Sequence, residues 1–237
     1  MVLNEGSGIR INKYISSSGY CSRRQADELI EQGKVTIDGI TATNGSKVLD
    51  GQTVLINGEP CVPVDDHIYI ALNKPLGITC TTDTRDKDNI VDYLGLEDRI
   101  FPIGRLDKNS SGLILLTNDG DIINKLLRAE HGHEKEYVVK VNKKINEDFK
   151  NKMENGLPIL GQTTLPCKVY IEGPYRFRII LTQGLNRQIR RMCEYLGYRV
   201  VSLKRIRFMN ILLGDMKPGE YRYLNNKEKQ ILLSHKR

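Results

Sequence analysis

Residues 104–113 read Gly104-Arg105-Leu106-Asp107-Lys108-Asn109-Ser110-Ser111-Gly112-Leu113. An arginine and a carboxylate lie together between an apolar approach, Ile100 to Ile103, and an apolar exit, Leu113 to Leu116, and glycines bracket the pair. Such a segment can hold an acid at the end of a strand, beside a bound substrate. The plain reading of Asp107 is a turn or cap aspartate. Two features make it a candidate catalytic carboxylate. Arg105 and Lys108 are close in sequence, and a cation beside a carboxylate keeps it ionised. The loop also follows Pro102 and divides two apolar segments, a suitable edge for a substrate cleft.

Outward from this loop, the patterning predicts a mixed succession of strands and helices. Ile68, Ile70 and Leu72 alternate as a strand, which Asn73-Lys74-Pro75-Leu76-Gly77 breaks. A short helix is expected over Ile90 to Leu94 and a strand over Leu113 to Leu116. Asn118-Asp119-Gly120-Asp121 then turns the chain into an amphipathic helix, Ile122 to Leu127. Further strands are read at Glu136 to Val141, Cys167 to Ile171, Phe177 to Leu181, Val200 to Leu203 and Arg207 to Leu212. Helices are read at Ile145 to Asn155 and Arg187 to Leu196. There is no regular βαβ alternation, so the class is α+β with a mixed or antiparallel sheet.

Before this module lies a smaller one. Ile11, Tyr14 and Ile15 share a helical face, and Gly19 follows as a stop. Ser22-Arg23-Arg24-Gln25 reads as a capping box opening a second helix with Ala26, Leu29 and Ile30 inward. Val35, Ile37, Val48, Val54 and Ile56 are strand-like, punctuated by Asp38-Gly39, Asp50-Gly51 and Asn57-Gly58. Residues 58–66 hold two prolines and three acids and read as a connector.

The 237-residue chain carries a formal charge of +7, which fits a polyanionic partner. That charge is uneven. Residues 1–60 hold six Lys/Arg against seven Asp/Glu, whereas residues 184–207 hold seven Lys/Arg and a single acid, Glu194. The latter is the strongest basic stripe and suits a phosphate backbone. Within it Arg187 and Arg191 lie four apart on one helical face, and Arg190, about 100° around from Arg191, can point elsewhere. No apolar run serves as a signal peptide or a membrane span, so a cytoplasmic protein is expected. The five cysteines are scattered, with no Cys-x-x-Cys. No metal site, disulfide framework, phosphate loop or dinucleotide fingerprint is read, and no cofactor is expected. Tyr137 enters a strand through charged residues. It can be a core tyrosine, or a ring that stacks on a displaced base.

The first module resembles the S4 RNA-binding domain across residues 10 to 57. The resemblance implies that the second helix and its leading turn meet RNA phosphates, with Arg23, Arg24 and nearby Lys13 as candidates. The Gly-Arg-Leu-Asp loop, together with Asn73-Lys74-Pro75, Tyr137 and Gly184-Leu185-Asn186-Arg187-Gln188-Ile189-Arg190-Arg191-Met192, is similar to the ribosomal small-subunit pseudouridine synthase A family over nearly the whole chain. The wording of 186–193 and Pro158-Ile159-Leu160-Gly161 look most like its large-subunit rRNA pseudouridine synthase F branch.

This resemblance implies an S4-like domain with a short linker over 9–65 and a catalytic domain over 66–237. It implies that Asp107 is the catalytic aspartate, that Tyr137 stacks on the target uracil and that Arg190 pairs with Asp107. Lys74, Arg105, Arg187 and Arg191 join the RNA-binding candidates. The expected reaction is isomerisation of uridine to pseudouridine in RNA, after base flipping. Asp107 attacks C1′ or removes a sugar proton, and the sequence leaves both open. A stem-loop of large-subunit rRNA is the expected substrate, a tRNA anticodon loop the alternative, and a monomer the expected state. The rival classes are a non-catalytic RNA-binding or ribosome-assembly protein and a hydrolase that releases uracil. A tyrosyl-tRNA synthetase, another S4 carrier, lacks its nucleotide-binding motif here.

Overall fold

The computed structural model describes residues 8–64, 66–127 and 132–234. The chain divides into two compact units between His67 and Ile68.

The smaller unit begins with β1 (Ile9–Arg10), α1 (Ile11–Ser17) and α2 (Arg23–Glu31). The Ser22 side chain accepts from the Gln25 amide, and the Gln25 side chain caps the Ser22 amide in return, so the capping box forms as its sequence predicts. The strands are β2 (Val35–Ile37), β3 (Ile40–Thr41), β4 (Lys47–Val48), β5 (Val54–Ile56) and β6 (Glu59–Pro60). A four-stranded sheet runs β3-β2-β5-β6, and β1 pairs with β4. Ile11, Ile15, Ala26 and Ile30 close over Val35, Val54 and Ile56.

The connector is shorter than its composition implies. Asn57 (φ 52°) and Gly58 (φ 87°) make a tight turn that folds Glu59-Pro60 back onto β5. Pro60 is tolerated there because β6 is an edge strand. Cys61 is then carried into the core.

The larger unit contains β7 (Tyr69–Lys74), α3 (Ile90–Leu94), β8 (Phe101–Ile103), β9 (Ser111–Thr117), α4 (Gly120–Leu127) and β10 (Lys135–Val141). It continues with α5 (Glu147–Glu154), β11 (Pro158–Ile159), β12 (Gln162–Thr163), β13 (Lys168–Gly173), β14 (Arg176–Leu181) and α6 (Gln188–Tyr195). It ends with β15 (Val200–Phe208), β16 (Ile211–Leu212), β17 (Tyr221–Tyr223) and α7 (Asn226–Ser234). The mixed sheet is ordered β13-β14-β10-β15-β9-β7-β17, with β8 on β9 and β16 on β15.

Both faces of the sheet are covered around β7 and β9. Ile70, Leu72, Ile114 and Leu116 face α3, α5 and α6, and Tyr69, Ala71, Leu113 and Leu115 face α4 and α7. The alternation of Ile68, Ile70 and Leu72 therefore marks one of two buried faces rather than a wet and a dry one. The sequence from 207 to 212 is not one strand. β15 runs to Phe208, Met209 turns at φ 53°, and the chain returns as β16. The β11–β12 hairpin, β17 and α7 have short or weakly patterned sequences and escape the sequence reading.

β9 and β15 meet in a parallel contact, Lys204 with Ser111 and Arg205 with Gly112. The other named neighbours in this sheet are antiparallel. This contact brings two distant stretches together beside the Asp107 loop.

Candidate active site

The Asp107 loop joins β8 to β9. The amide of Ser110 donates to the Asp107 carbonyl at 2.9 Å, which curls the loop, and the amide of Gly77 donates to the Lys108 carbonyl at 2.9 Å, which ties it to the segment after β7. The Leu106 amide contacts the buried Cys80 sulfur at 3.4 Å. The carboxylate of Asp107 is thus presented at the wall of a cleft of about 250 Å³.

Two guanidinium groups reach this carboxylate. Arg190 Nε lies 3.6 Å and Arg187 Nη1 3.7 Å from Oδ2. Arg190 is 9 % exposed, and its Nη2 donates to the Asn109 carbonyl at 2.6 Å and to Ser110 Oγ at 3.0 Å. One side chain therefore braces both the backbone and the acid of the loop. Burial pulls the Arg190 pKa below its ordinary value, the neighbouring Arg187 charge adds to this, and Asp107 opposes both.

Arg187 does not belong to the helix. It precedes α6 in a left-handed conformation (φ 51°), so the expected shared face with Arg191 does not exist. Arg191 instead folds onto Asn186, donating to its carbonyl at 3.0 Å and to its Oδ1 at 3.1 Å. Strain at a non-glycine residue of positive φ is common beside functional groups.

Several charges sit elsewhere than the sequence implies. Lys108 turns away from Asp107 and pairs with Asp88 at 2.8 Å. Arg105 is exposed at the cleft rim. Lys74 is corrected as an RNA-binding candidate: it is fully buried, and its Nζ donates to the Pro75 and Ile78 carbonyls at 2.9 and 2.8 Å. Burial lowers its pKa, while Cys80 and then Asp107 push the other way. Its place is under the Asp107 loop rather than at a surface.

The basic stripe of 184–207 is also not a continuous surface. Arg207 is bound by Glu136 at 2.6 Å and Glu134 at 3.0 Å, and Arg205 is 3 % exposed. In the smaller unit Arg23 and Arg24 are exposed at the start of α2, and Lys13 is half-buried on α1.

Tyr137 on β10 is 8 % exposed and lines the same cleft as Asp107. The structure therefore brings Asp107, Arg187 and Tyr137 to one cavity, with Arg190 braced against Asp107 and its loop. Two cleft residues escape the sequence reading: Arg205, hidden among other cations of the stripe, and Lys135, two residues before Tyr137. Lys135 Nζ donates to the Thr182 carbonyl at 2.9 Å and the His133 carbonyl at 3.1 Å. Burial and then the Arg205 charge pull its pKa down to about 8. Among the described residues no cluster of side chains suits a metal ion, and no helix is long and apolar enough to cross a membrane.

Comparison with known proteins gives consistent results. Residues 68–195 match the family model for RNA pseudouridylate synthase, and residues 9–55 match the S4 domain. The chain is 54 % identical over 224 residues to the dual-specificity RNA pseudouridine synthase RluF of Escherichia coli K12, covering 94 % of this chain and 77 % of that one. It is 35 % identical over 228 residues to the ribosomal large subunit pseudouridine synthase B of Bacillus subtilis, covering 92 % and 93 %. A crystal structure of a pseudouridylate synthase superimposes with a TM-score of 0.69 at 28 % identity, covering 94 % of this chain and 99 % of that one.

Proposed function

Because the chain belongs to the RNA pseudouridylate synthase family, we propose both a substrate for it and a role for each cleft residue. It is an RNA-modifying isomerase that converts uridine to pseudouridine. Its substrate is a uridine in a stem-loop of large-subunit rRNA. The names of its relatives, one a large-subunit enzyme and one of dual specificity, support that reading, and the second name supports a further RNA class, for which a tRNA anticodon loop is the candidate. The enzyme works as a cytoplasmic monomer. Residues 9–65, with the S4 match and linker, hold the RNA, and residues 66–237 carry the chemistry.

The observation that carries the catalytic assignment is the Asp107 carboxylate at the cleft wall with two arginines on one oxygen and Tyr137 in the same cavity. Both cations approach Oδ2, so Oδ1 is the oxygen offered to the sugar. A flipped uridine enters the cleft. Asp107 then either attacks C1′ or takes a proton from C2′, and the N1–C1′ bond breaks. Tyr137 confines the detached base while it turns, which keeps C5 close enough to bond to C1′. Arg190 fixes the orientation of the carboxylate. Arg105 and Arg187 meet phosphates at the rim, with Arg191 set back on Asn186, and Arg23, Arg24 and Lys13 serve the S4 unit.

Asp107→Asn is expected to abolish tritium release from RNA labelled at uracil C5 and to leave RNA affinity near wild type. Turnover by that variant would overturn the assignment. Mapping modified uridines in total RNA, with and without the enzyme, identifies the substrate, and modification confined to small-subunit rRNA would overturn the large-subunit reading.

A further inference from the structure

We propose that Arg205 is a further catalytic residue, one that receives the negative charge released onto the base when the glycosidic bond breaks; this rests on the placement of Asp107 and Tyr137 proposed above.

Arg205 lies on β15 directly opposite Tyr137 on β10. Cross-strand partners point to the same face of a sheet. The guanidinium therefore shares the cleft with the tyrosine ring, its carbon 5.9 Å from the centre of the Phe208 ring. Arg205 is buried, and its Nε is fixed by the Leu113 carbonyl at 2.6 Å. Its terminal nitrogens have no hydrogen-bond acceptor among the described residues, although the side chain lines the cleft.

The charge of Arg205 is also without a counter-ion. Arg187 and Arg190 share Asp107, and Arg207 is held by Glu134 and Glu136. Among the described residues neither Arg205 nor Lys135 makes an ion pair, and Lys135 is anchored only on carbonyls. A guanidinium buried without a carboxylate is costly to the fold. It is paired cheaply only by an anion that arrives in the cavity, and the chemistry supplies one.

When N1–C1′ breaks, the bonding electron pair moves into the ring. The base becomes uracilate, with its charge shared between N1 and the carbonyl oxygens O2 and O4. The sugar is held as an ester of Asp107, or as a glycal after loss of the C2′ proton to Asp107. The base then attacks C1′ through C5; this expels the Asp107 carboxylate from the ester, or in the glycal opens the C1′–C2′ double bond as Asp107 returns its proton to C2′, and the C5 hydrogen leaves as a proton. Prepositioned donors aimed at charge that exists only during reaction lower the barrier without tightening the ground state. Two Nη groups in the cleft that Tyr137 also lines can donate to a carbonyl oxygen of the base. A phosphate is the other anion RNA brings, but the burial of Arg205 in the cleft that Tyr137 lines favours the base.

The test uses single-turnover rates at saturating enzyme, on a stem-loop with one target uridine. Arg205→Gln is expected to lower the rate about 100-fold, the loss typical of removing one such donor, with RNA affinity unchanged. Arg205→Lys, which keeps a cation and most of the stem, is expected to fall between. The target is then replaced by 2-thiouridine or 4-thiouridine, because sulfur is a poor acceptor. One of the two should slow the wild type and lose that penalty in Arg205→Gln, the mark of a direct contact. Where Arg205→Gln is unstable by thermal melting, the same comparison is made with Arg205→Lys, in which the penalty should shrink.

Equal thio penalties in wild type and both variants would overturn the proposal. So would a neutral methylphosphonate beside the target that erases the Arg205 effect, which would make Arg205 a phosphate clamp. Turnover by Asp107→Asn would instead sink the underlying site assignment, so the two failures are distinct.

Discussion

Replacing Gly112 by alanine should damage both the stability of the larger unit and its chemistry. Gly112 has φ +102°, a conformation that an L side chain rarely adopts. It faces Arg205 in the parallel contact between β9 and β15. A Cβ there would lie 2.2 Å from the Arg205 carbonyl oxygen and 2.7 Å from its amide nitrogen. Both are backbone atoms, so no side chain can swing aside. The strained backbone costs about 1–3 kcal/mol, and forcing the two strands apart adds about 1–3 kcal/mol. At about 2–4 °C per kcal/mol for a unit of this size, the melting temperature should fall by about 10 °C. The same separation moves the start of β9, which carries the Asp107 loop, and the Leu113 carbonyl that anchors Arg205. A displacement of about 1 Å at reacting groups can cost about 100-fold in rate, so turnover should fall by that order even well below the melting temperature. Scanning calorimetry and single-turnover pseudouridine formation check the two effects. Gly120→Ala is the control, since a Cβ there meets nothing within 4 Å. A Gly112→Ala protein with wild-type melting and turnover would refute the reasoning.

Two other perturbations separate RNA binding from electrostatics. Arg23 and Arg24 occupy the first turn of α2, where cations oppose the helix dipole. The double alanine variant should keep its fold, bind RNA more weakly and lower the salt slope by about one for each phosphate that is no longer neutralised; affinity unchanged at every salt concentration would count against them. Lys135, held at about 8 in the fold, returns to about 10.4 in the unfolded chain. The unfolded state then holds more protons between these values, so stability should climb as pH rises from about 8 to about 10.4. The gain is about 1–2 kcal/mol once solvent screening is allowed for. Lys135→Met should flatten that slope in chemical denaturation series and raise stability at neutral pH; a slope identical to wild type would assign it to other groups.

What the sequence discloses and what it withholds follows the range of the interactions involved. Ser22 with Gln25 is a contact between near neighbours, and its residue types state it outright. Ile90–Leu94 forms where its pattern places a helix, because a local period and a following glycine suffice. The Asn57-Gly58 turn is equally local, but the prolines after it suggest a connector, whereas the turn itself implies a returning strand. The cleft is different in kind. Asp107 has Lys108 beside it in sequence, yet Lys108 pairs with Asp88, and the arginines that reach Asp107 come from the start of α6, some eighty residues away. Proximity along the chain names the types of charge available and says little about which of them meet. The stretch from 184 to 207 sharpens the point. As composition it is a uniformly basic stripe. As structure it divides into a left-handed turn at Arg187, a brace at Arg190, a buried cation at Arg205 and a satisfied ion pair at Arg207. Strand alternation alone could have separated Leu203 and Arg205 from Lys204, and so flagged an arginine on an apolar face. That Arg205 stands beside Tyr137 follows only from the pairing of β10 with β15, and that pairing is decided by burial across the whole sheet. An active site assembled from strand ends inherits this limit. Its acid can be read from ten residues, but the environment that sets what the acid does is a property of the register.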